Sequence, residues 1–211
     1  MTGILFDLDG TLLDTLGDLA DGVNHALRTH GYPERTLSEI RAFVGHGAAS
    51  LIARSVPDGA DPGPVLQTFQ PYYKAHSKIK TCPYPGIPEV LEAVRAKYPV
   101  AIVSNKPDPA VKLLAAEFFP GVYALGETPQ IPRKPAPDML KKAMADLGVD
   151  RCVYVGDSDV DVITAANVGA DCASVLWGFR DAPQIRAAGG KYFCHNVEQL
   201  PALIRMLAEK E

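Results

Sequence analysis

The chain begins with an apolar run that ends in two acidic residues, Asp7 and Asp9, with one residue between them. The run is typical of a buried strand, which delivers the side chains that follow it to the edge of a sheet. Two carboxylates held close together repel each other, and a divalent cation that prefers oxygen ligands offsets this repulsion. A carboxylate at such a site can also attack phosphorus as a nucleophile. The start of the chain therefore predicts metal-assisted phosphoryl chemistry.

Other chemistry-bearing residues follow later apolar runs. Ser104 and Asn105 follow a β-branched run, Lys134 follows a third run and a loop, and Asp157 follows a fourth run, with Asp161 one helical turn later. Carboxylates hold a metal ion, a hydroxyl group binds phosphoryl oxygens, and a lysine neutralises charge. Because ligands of open α/β sheets bind outside the carboxyl ends of the strands, we expect these side chains to meet at one edge.

The elements that must position these residues alternate between strand and helix patterns. The predicted strands cover residues 4–8, 100–103, 122–125, 152–155, 172–176 and 192–194. The predicted helices between them cover residues 87–97, 109–118, 137–147 and 160–168, and a last helix runs toward the C-terminus. This alternation predicts an α/β fold with a doubly wound, mainly parallel sheet and a Rossmann-like core.

One long segment departs from this alternation. Residues 15–81, here termed the helical insert, contain only helical patterns, at 15–29, 37–44, 48–55 and a last stretch through residue 79. Breaks rich in Pro or Gly near residues 13–17 and 81–86 predict hinges at its two ends. The predicted domains are a catalytic core of residues 1–14 and 82–211 and an all-helical cap domain of residues 15–81.

Composition narrows the class of protein. The 211 residues carry a net charge of −4, with 47% hydrophobic and 22% charged residues, which is typical of a globular protein and disfavours a nucleic-acid partner. No secretory signal is visible, and no apolar run approaches the roughly 18 residues that span a bilayer. We expect a cytoplasmic enzyme without a membrane partner. The four cysteines form no C-x-x-C pair, which predicts buried, reduced thiols.

Taken together, the polar residues form four motifs in a fixed order. They are Asp7-Leu8-Asp9-Gly10-Thr11, Ser104, Lys134-Pro135 and Gly156-Asp157-Ser158-Asp159-Val160-Asp161. The chain resembles the haloacid dehalogenase-like hydrolases, in the phosphatase branch that carries a helical cap after the first strand. The resemblance covers essentially the whole chain, and four motifs in register make coincidence a poor explanation.

The resemblance implies a catalytic role for four of these residues. Asp7 attacks phosphorus and forms an aspartyl-phosphate. Asp9 protonates the leaving oxygen and then deprotonates the water that breaks the intermediate, two tasks that one carboxyl group can perform in turn. Ser104 donates a hydrogen bond to a phosphoryl oxygen, and Lys134 offsets negative charge on Asp7 and on the phosphoryl group.

The resemblance also implies a metal ion and phosphate contacts. Mg²⁺ is held by Asp7, the backbone carbonyl of Asp9, Asp157 and Asp161, the last directly or through water. Gly10 allows a tight turn, and Thr11 is expected to hydrogen-bond near the phosphoryl group. Asn105 is expected to line the same site and to bind substrate.

Residues of the helical insert are expected to determine which substrate the enzyme accepts. Its segment Gly45-His46-Gly47 resembles the V-G-x-G stretch in the caps of phosphoglycolate phosphatases, and these three residues are predicted to bind substrate. The expected partner is a small anionic phosphorylated metabolite, with 2-phosphoglycolate as the best single prediction. Many relatives carry another polar residue in place of His46, so pyrophosphate, sugar phosphates and nucleotides stay open as substrates. Either a monomer or a homodimer is compatible with the sequence.

Other reactions of this fold are less consistent with the sequence. Phosphomutases similar to β-phosphoglucomutase carry a histidine soon after the first motif, whereas the first histidine here is His25. Dehalogenases lack the second carboxylate, here Asp9, and phosphonatases need a lysine early in the cap, whereas the first lysine is Lys74. A binding or regulatory module is the non-enzyme alternative, and it would show degraded motifs.

Overall fold

The computed structural model describes residues 1–210, so residue 211, the last of the predicted core, lies outside the described residues. The strands are β1 Thr2–Phe6, β2 Leu13–Asp14, β3 Cys82–Pro83, β4 Val100–Pro107, β5 Tyr123–Glu127, β6 Arg151–Gly156, β7 Asp171–Val175 and β8 Tyr192–Cys194. The helices are α1 Leu16–Thr29, α2 Leu37–Phe43, α3 Gly47–Ser55, α4 Pro62–His76, α5 Ile87–Arg95, α6 Asp108–Phe118, α7 Asp138–Leu147, α8 Asp159–Val168, α9 Ala182–Ala187 and α10 Leu200–Ala208, with a short 3-10 helix at Val197–Gln199.

The central sheet contains six parallel strands in the order β5-β4-β1-β6-β7-β8. The chain builds β4 and β5 on one side of β1 and then β6, β7 and β8 on the other. The direction of winding therefore reverses beside β1, and such a switch point opens a crevice at the carboxyl ends of the strands. Asp7 directly follows β1, so it lies at this crevice. The predicted doubly wound, mainly parallel sheet is confirmed.

Helices cover both faces of the sheet, which explains why β1 is apolar throughout. Ile4 and Phe6 pack on one face, in a cluster that includes residues of α5, α6 and α10, and Leu5 packs on the opposite face with α7, α8 and α9. All three side chains are fully buried. Burial of each such side chain stabilises the fold by about 1.5–3 kcal/mol. The strand that carries Asp7 is therefore held rigidly in the centre of the molecule.

The helical insert forms α1, α2, α3 and α4 and has an apolar cluster of its own. Buried side chains of this cluster include Leu27, Ile40, Ile52 and Phe69. Phe179, from the loop after β7, also packs into the cluster. The insert is thus connected to the rest of the chain through side-chain packing as well as through its two ends.

The two ends of the insert lie side by side, because β2 pairs antiparallel with β3. Asp18, in the first turn of α1, accepts hydrogen bonds from the backbone N–H groups of Ile79, Lys80 and Thr81 at 2.9–3.1 Å. These N–H groups therefore cannot continue the helical pattern. This explains why α4 ends at His76, although the sequence predicts a helix through residue 79.

The strand β4 is longer than the sequence predicts. It extends beyond the predicted residues 100–103 to Pro107, with a shift of register against β5 between Val103 and Pro107. Ser104, Asn105 and Lys106 lie in this irregular end, which turns their backbone out of the regular ladder. Four of the other predicted strands overlap the observed ones and differ by one or two residues at their ends, and the predicted strand 192–194 coincides with β8.

All four cysteines are free thiols. Cys152, Cys172 and Cys194 are buried as predicted, but the predicted burial of Cys82 is wrong, since this residue lies exposed on the short strand β3. Across residues 1–210 we find no helix whose length and apolar character together would allow it to cross a membrane.

Candidate active site

The predicted site residues meet at the carboxyl edge of the sheet, beneath the helical insert. A cavity of about 350 Å³ opens there. Its wall includes predicted residues from all parts of the chain: Asp7, Asp9, Gly45, Gly47, Ser104, Asn105 and Asp157. Lys134 and Asp161 are buried directly behind this wall, in contact with Asp7 or with each other. The loops after β1 and β6, together with the irregular end of β4, thus bring together residues that are up to about 150 positions apart in the sequence.

Three buried carboxylates form the centre of the site. Asp7, Asp157 and Asp161 each offer an oxygen atom within 4.8 Å of the others. Burial raises the pKa of Asp7 to about 7, although Lys134 opposes this shift. Burial, followed by the neighbouring Asp161 and Asp7, raises the pKa of Asp157 well above its usual value. The cluster therefore carries more negative charge than its protein surroundings stabilise.

Lys134 is the cation of this cluster. Its Nζ lies 3.0 Å from Oδ1 of Asp7 and 2.8 Å from Oδ1 of Asp161. It also donates a hydrogen bond of 2.6 Å to the hydroxyl of Tyr154, which in turn donates to the carbonyl of Val103. Burial alone lowers the pKa of Lys134, but Asp161 and Asp7 together outweigh burial and raise the pKa. Lys134 is therefore a fixed positive charge in contact with Asp7.

Neutral groups orient Asp157. The hydroxyl of Thr11 donates to its Oδ1 at 3.1 Å, and the backbone N–H of Phe179 donates to its Oδ2 at 2.6 Å. Gly10 has a φ of +81°, and a Cβ at this position would lie 2.4 Å from Oδ2 of Asp157. Glycine is required here for both reasons. The structure thus places Thr11 on a carboxylate of the cluster, and its predicted phosphoryl contact stays a prediction.

Asp161 has a different set of partners. Its Oδ2 accepts hydrogen bonds from the backbone N–H of Ser158 at 3.1 Å and from the Ser158 hydroxyl at 2.6 Å. Ser158 and Asp161 form a capping box at the start of α8. Asp159, the first residue of that helix, lies 3.5 Å from Arg180.

The residues of this cluster fit a divalent metal ion. Oxygen is the only donor type that the three carboxylates offer, and Mg²⁺ prefers oxygen. The Oδ1 atom of Asp7 is buried. No donor among residues 1–210 reaches it at an angle suitable for a hydrogen bond. Within residues 1–210 the ammonium group of Lys134 contacts two of the three carboxylates, those of Asp7 and Asp161, whereas Asp157 has neutral partners. A divalent cation would balance the remaining charge.

Asp9 stands apart from this cluster and has its own cation. Lys106 donates hydrogen bonds from Nζ to both carboxylate oxygens of Asp9, at 2.9 and 3.1 Å. The same Nζ lies 4.7 Å from the ring centre of Tyr73, a residue of α4. Burial alone lowers the pKa of Lys106, but Asp9 and Tyr73 outweigh burial and raise it. The position of the Asp9 carboxylate is thus tied to both β4 and the insert.

Asn105 connects three parts of the site. Its amide nitrogen donates to the carbonyl of Gly45 at 3.2 Å and to the carbonyl of Lys134 at 2.9 Å, while its Oδ1 accepts from the backbone N–H of Lys134 at 2.9 Å. Both N–H groups of its amide are therefore engaged. This geometry favours a positioning role for Asn105 over the substrate contact predicted from sequence. Its neighbour Ser104 lines the cavity beside Asp7.

The three residues of the segment Gly45-His46-Gly47 differ in their position relative to the cavity. Gly45 and Gly47 line the cavity, whereas His46 is absent from the wall that residues 1–210 form. His46 is half-buried immediately before α3, and burial followed by Arg54 lowers its pKa. Gly47 has a φ of +82°, and a Cβ there would approach the Asn105 carbonyl to 3.3 Å. A role for His46 in substrate binding stays a prediction.

A buried arginine fastens the insert to the loop after β7. Arg180 donates hydrogen bonds to the carbonyls of Arg41 at 3.0 Å and Val44 at 2.6 Å, both in the insert. In return, Arg41 donates to the carbonyl of Gly178 at 2.8 Å. The loop that positions Asp157 through Phe179 is therefore the same loop that binds the insert.

Four residues of this site are not among those predicted from the sequence: Lys106, Tyr154, Phe179 and Arg180. From the sequence, Tyr154 is expected to be a core residue of a buried strand. Only the structure shows that its hydroxyl contacts Lys134. Phe179 acts through its backbone N–H, which no side-chain motif can reveal. Lys106 directly follows the Ser104-Asn105 motif, and this adjacency is the one signal that could have identified it.

Comparisons with known proteins agree with this geometry. A family model described as haloacid dehalogenase-like hydrolase matches residues 4–175. A phosphoglycolate phosphatase from Cereibacter sphaeroides is 33% identical, over 98% of this chain and 99% of that relative. A phosphoglycolate phosphatase from Aquifex aeolicus is 32% identical, over 85% of this chain and 86% of that relative.

A solved structure shows the same arrangement of elements. A candidate phosphoglycolate phosphatase from Lactobacillus delbrueckii subsp. bulgaricus superimposes with a TM-score of 0.90 at 37% sequence identity, over 96% of this chain and 97% of that chain. The family resemblance inferred from the four motifs is thus confirmed. The chain belongs to the haloacid dehalogenase-like hydrolases and is an enzyme similar to the phosphatases of that family.

Proposed function

We propose that this phosphatase hydrolyses a small phosphomonoester with the help of Mg²⁺, through an aspartyl-phosphate formed on Asp7, and that its substrate is 2-phosphoglycolate. The observation that carries the proposal is the buried Asp7 carboxylate, which lies 3.0 Å from the Lys134 ammonium at the end of the cavity. This contact supports Asp7 as the nucleophile and Lys134 as the positive charge that stabilises the phosphoryl group.

Asp7, Asp157 and Asp161 are the residues that would hold Mg²⁺, together with the backbone carbonyl of Asp9. When bound, the ion supplies positive charge for the oxygens of the phosphoryl group. Thr11 and the N–H of Phe179 fix Asp157, and Ser158 fixes Asp161, so the ligand oxygens are oriented in advance.

In the first half of the reaction, an oxygen of Asp7 attacks phosphorus, and the ester bond between phosphorus and the leaving oxygen breaks. Asp9 gives its proton to that leaving oxygen, so the alcohol departs neutral. Lys134 stabilises the negative charge on the transferring group, and Ser104 binds one of its oxygens. Lys106 holds the Asp9 carboxylate in place through its two hydrogen bonds.

In the second half, Asp9 accepts a proton from a water molecule as the water oxygen attacks phosphorus. The bond between phosphorus and Asp7 then breaks and inorganic phosphate is released. Asp9 ends protonated and Asp7 ends as a carboxylate, so both residues return to the state in which they began.

We further propose that the helical insert, residues 15–81, is a cap domain that covers the site and limits access of water. Support comes from its cavity-lining residues Gly45 and Gly47 and from its attachment through Arg180. The names of the relatives support 2-phosphoglycolate as the substrate. Lys106, a buried cation in the cavity wall, supports an anionic substrate.

The experiment is a measurement of phosphate release from 2-phosphoglycolate, pyrophosphate, a hexose phosphate and a nucleoside monophosphate, with Mg²⁺ and with EDTA. We expect the highest kcat/KM for 2-phosphoglycolate and no turnover in EDTA. Asp7→Asn should lower kcat about 1,000-fold or more, whereas Asp58→Asn, at an exposed position, should not. Full activity of Asp7→Asn would refute the mechanism, and isomerisation of the hexose phosphate without phosphate release would indicate a mutase.

A further inference from the structure

The cavity at Asp7 is larger than a small ester needs. Its volume of about 350 Å³ falls within the roughly 300–1,000 Å³ of pockets that enclose drug-sized ligands. A phosphoglycolate molecule has a single phosphoryl group and two carbons, so it occupies only the part of the cavity beside the catalytic carboxylates. The residues that form the wall indicate which chemical groups the rest of the cavity can bind.

Much of the wall is apolar, although α4 and the residue that follows it also contribute the polar residues Gln70, Lys74 and Ser77. Leu19 of α1, Leu51 of α3 and Phe69 of α4 contribute buried side chains from the insert. Leu113 of α6 contributes from the core and is 38% exposed. Apolar surface that is sheltered in this way gains free energy when a ligand displaces water from it.

Three cationic side chains also contribute to the cavity wall. Lys106 is bound to Asp9, and Arg180 is bound to insert carbonyls and to Asp159, so both already have partners. Lys74, the other lysine of the wall, is exposed. A second charged group on a long substrate would therefore gain little in the apolar part of the cavity, whereas an uncharged chain would gain from burial.

We propose that the enzyme also accepts a second class of substrate: phosphomonoesters whose alcohol carries an unbranched apolar chain. This inference rests on the proposed function, since it uses the same nucleophile and the same phosphoryl position. The phosphoryl group lies at Asp7, and the apolar group of the alcohol lies against Leu19, Leu51, Phe69 and Leu113.

The test is a series of ethyl, butyl and hexyl phosphate with Mg²⁺, alongside 2-phosphoglycolate. The leaving alcohols of the series have nearly equal acidity, so differences in kcat/KM report contacts of the chain. Each buried methylene is worth about fourfold. We expect kcat/KM to rise about tenfold or more from ethyl to hexyl phosphate.

A second readout measures binding without turnover. Calorimetry on Asp7→Asn should show tighter binding of hexyl than of ethyl phosphate, with a more negative change in heat capacity for the longer chain. Equal affinities, together with a flat kcat/KM series, would overturn the inference.

A matched pair of variants locates the effect. Leu113→Asn places an amide in the apolar part and should reduce the ratio of kcat/KM for hexyl over ethyl phosphate at least about threefold. Ile163→Asn changes an aliphatic helix residue with the same 38% exposure on α8, outside the cavity wall, and should leave that ratio unchanged.

The two proposals fail in different ways. If small esters are hydrolysed but chain length has no effect on kcat/KM, the apolar subsite is refuted and the proposed function stands. If neither 2-phosphoglycolate nor any alkyl phosphate is hydrolysed by protein that is folded by circular dichroism, the proposed function itself is refuted.

Discussion

The ammonium group of Lys106 bridges both carboxylate oxygens of Asp9, at 2.9 and 3.1 Å, while its other side faces the ring of Tyr73. Lys106 belongs to the core strand β4, and Tyr73 belongs to the helical insert. Asp9, which exchanges protons in the proposed mechanism, is therefore positioned by both the core and the helical insert.

This relationship predicts that Lys106→Met lowers kcat about 10- to 100-fold with a smaller change in KM, because Asp9 loses the partner that fixes its carboxylate. Steady-state kinetics with 2-phosphoglycolate checks this expectation. Lys112→Met removes a lysine from an exposed ion pair with Asp108 on α6 and serves as the control. Equal kcat values for the two variants would show that the ion pair with Asp9 does not matter for turnover.

Thr11 gives a prediction about the metal site. Thr11→Val removes the hydroxyl that orients Asp157, so the Mg²⁺ concentration for half-maximal activity should rise about tenfold. Thr11→Ser keeps the hydroxyl and should restore most of the affinity for the metal. Calorimetric titration of Mg²⁺ into each variant measures the effect independently of turnover, and an unchanged affinity in Thr11→Val would contradict the assigned role.

The metal-free protein should be stabilised by Asp7→Asn. The pKa of Asp7 in the folded chain is about 7, above its ordinary value of 3.8, so the ionised form destabilises the fold. This destabilisation sets in as the pH rises from about 4 and is complete above about 7. Asparagine removes it, and we expect a gain of about 2–4 kcal/mol in the free energy of unfolding at pH 8 and less than about 1 kcal/mol at pH 4.

Urea unfolding in EDTA at the two pH values measures this gain, with Asp58→Asn as the exposed control. A loss of stability in Asp7→Asn at pH 8 would mean that the ion pair with Lys134 outweighs the burial of the carboxylate.

Thiol labelling should distinguish Cys82 from the other cysteines. Burial raises the pKa of Cys152 to about 12 and that of Cys194 to about 11, and it also raises the pKa of Cys172, so these thiols stay protonated at pH 8. We expect a maleimide to label the folded protein once, at the exposed Cys82, and Cys82→Ser to abolish the labelling. More than one label per folded chain, detected by intact-mass spectrometry, would contradict the burial of the other three.

Much of the fold and of the candidate site could be predicted from the sequence, because the relevant signals are local. The apolar run before Asp7 predicts β1, and the order of the four motifs predicts which strand ends meet. What could not be predicted depends on contacts across the sequence. The hydroxyl of Tyr154 and the N–H of Phe179 act only once β6 and the loop after β7 are in place. The end of α4 depends on Asp18, about 60 residues earlier.

The most direct test of the central claim is to trap the phosphorylated enzyme. Wild-type protein is mixed with Mg²⁺ and 2-phosphoglycolate, quenched within milliseconds and reduced with borohydride, which converts an aspartyl-phosphate to homoserine. Peptide mass spectrometry should find homoserine at Asp7, and at neither Asp9 nor Asp157. Turnover with phosphate release but no modification of Asp7 would show that water attacks the substrate directly, and it would contradict the proposed role of this carboxylate.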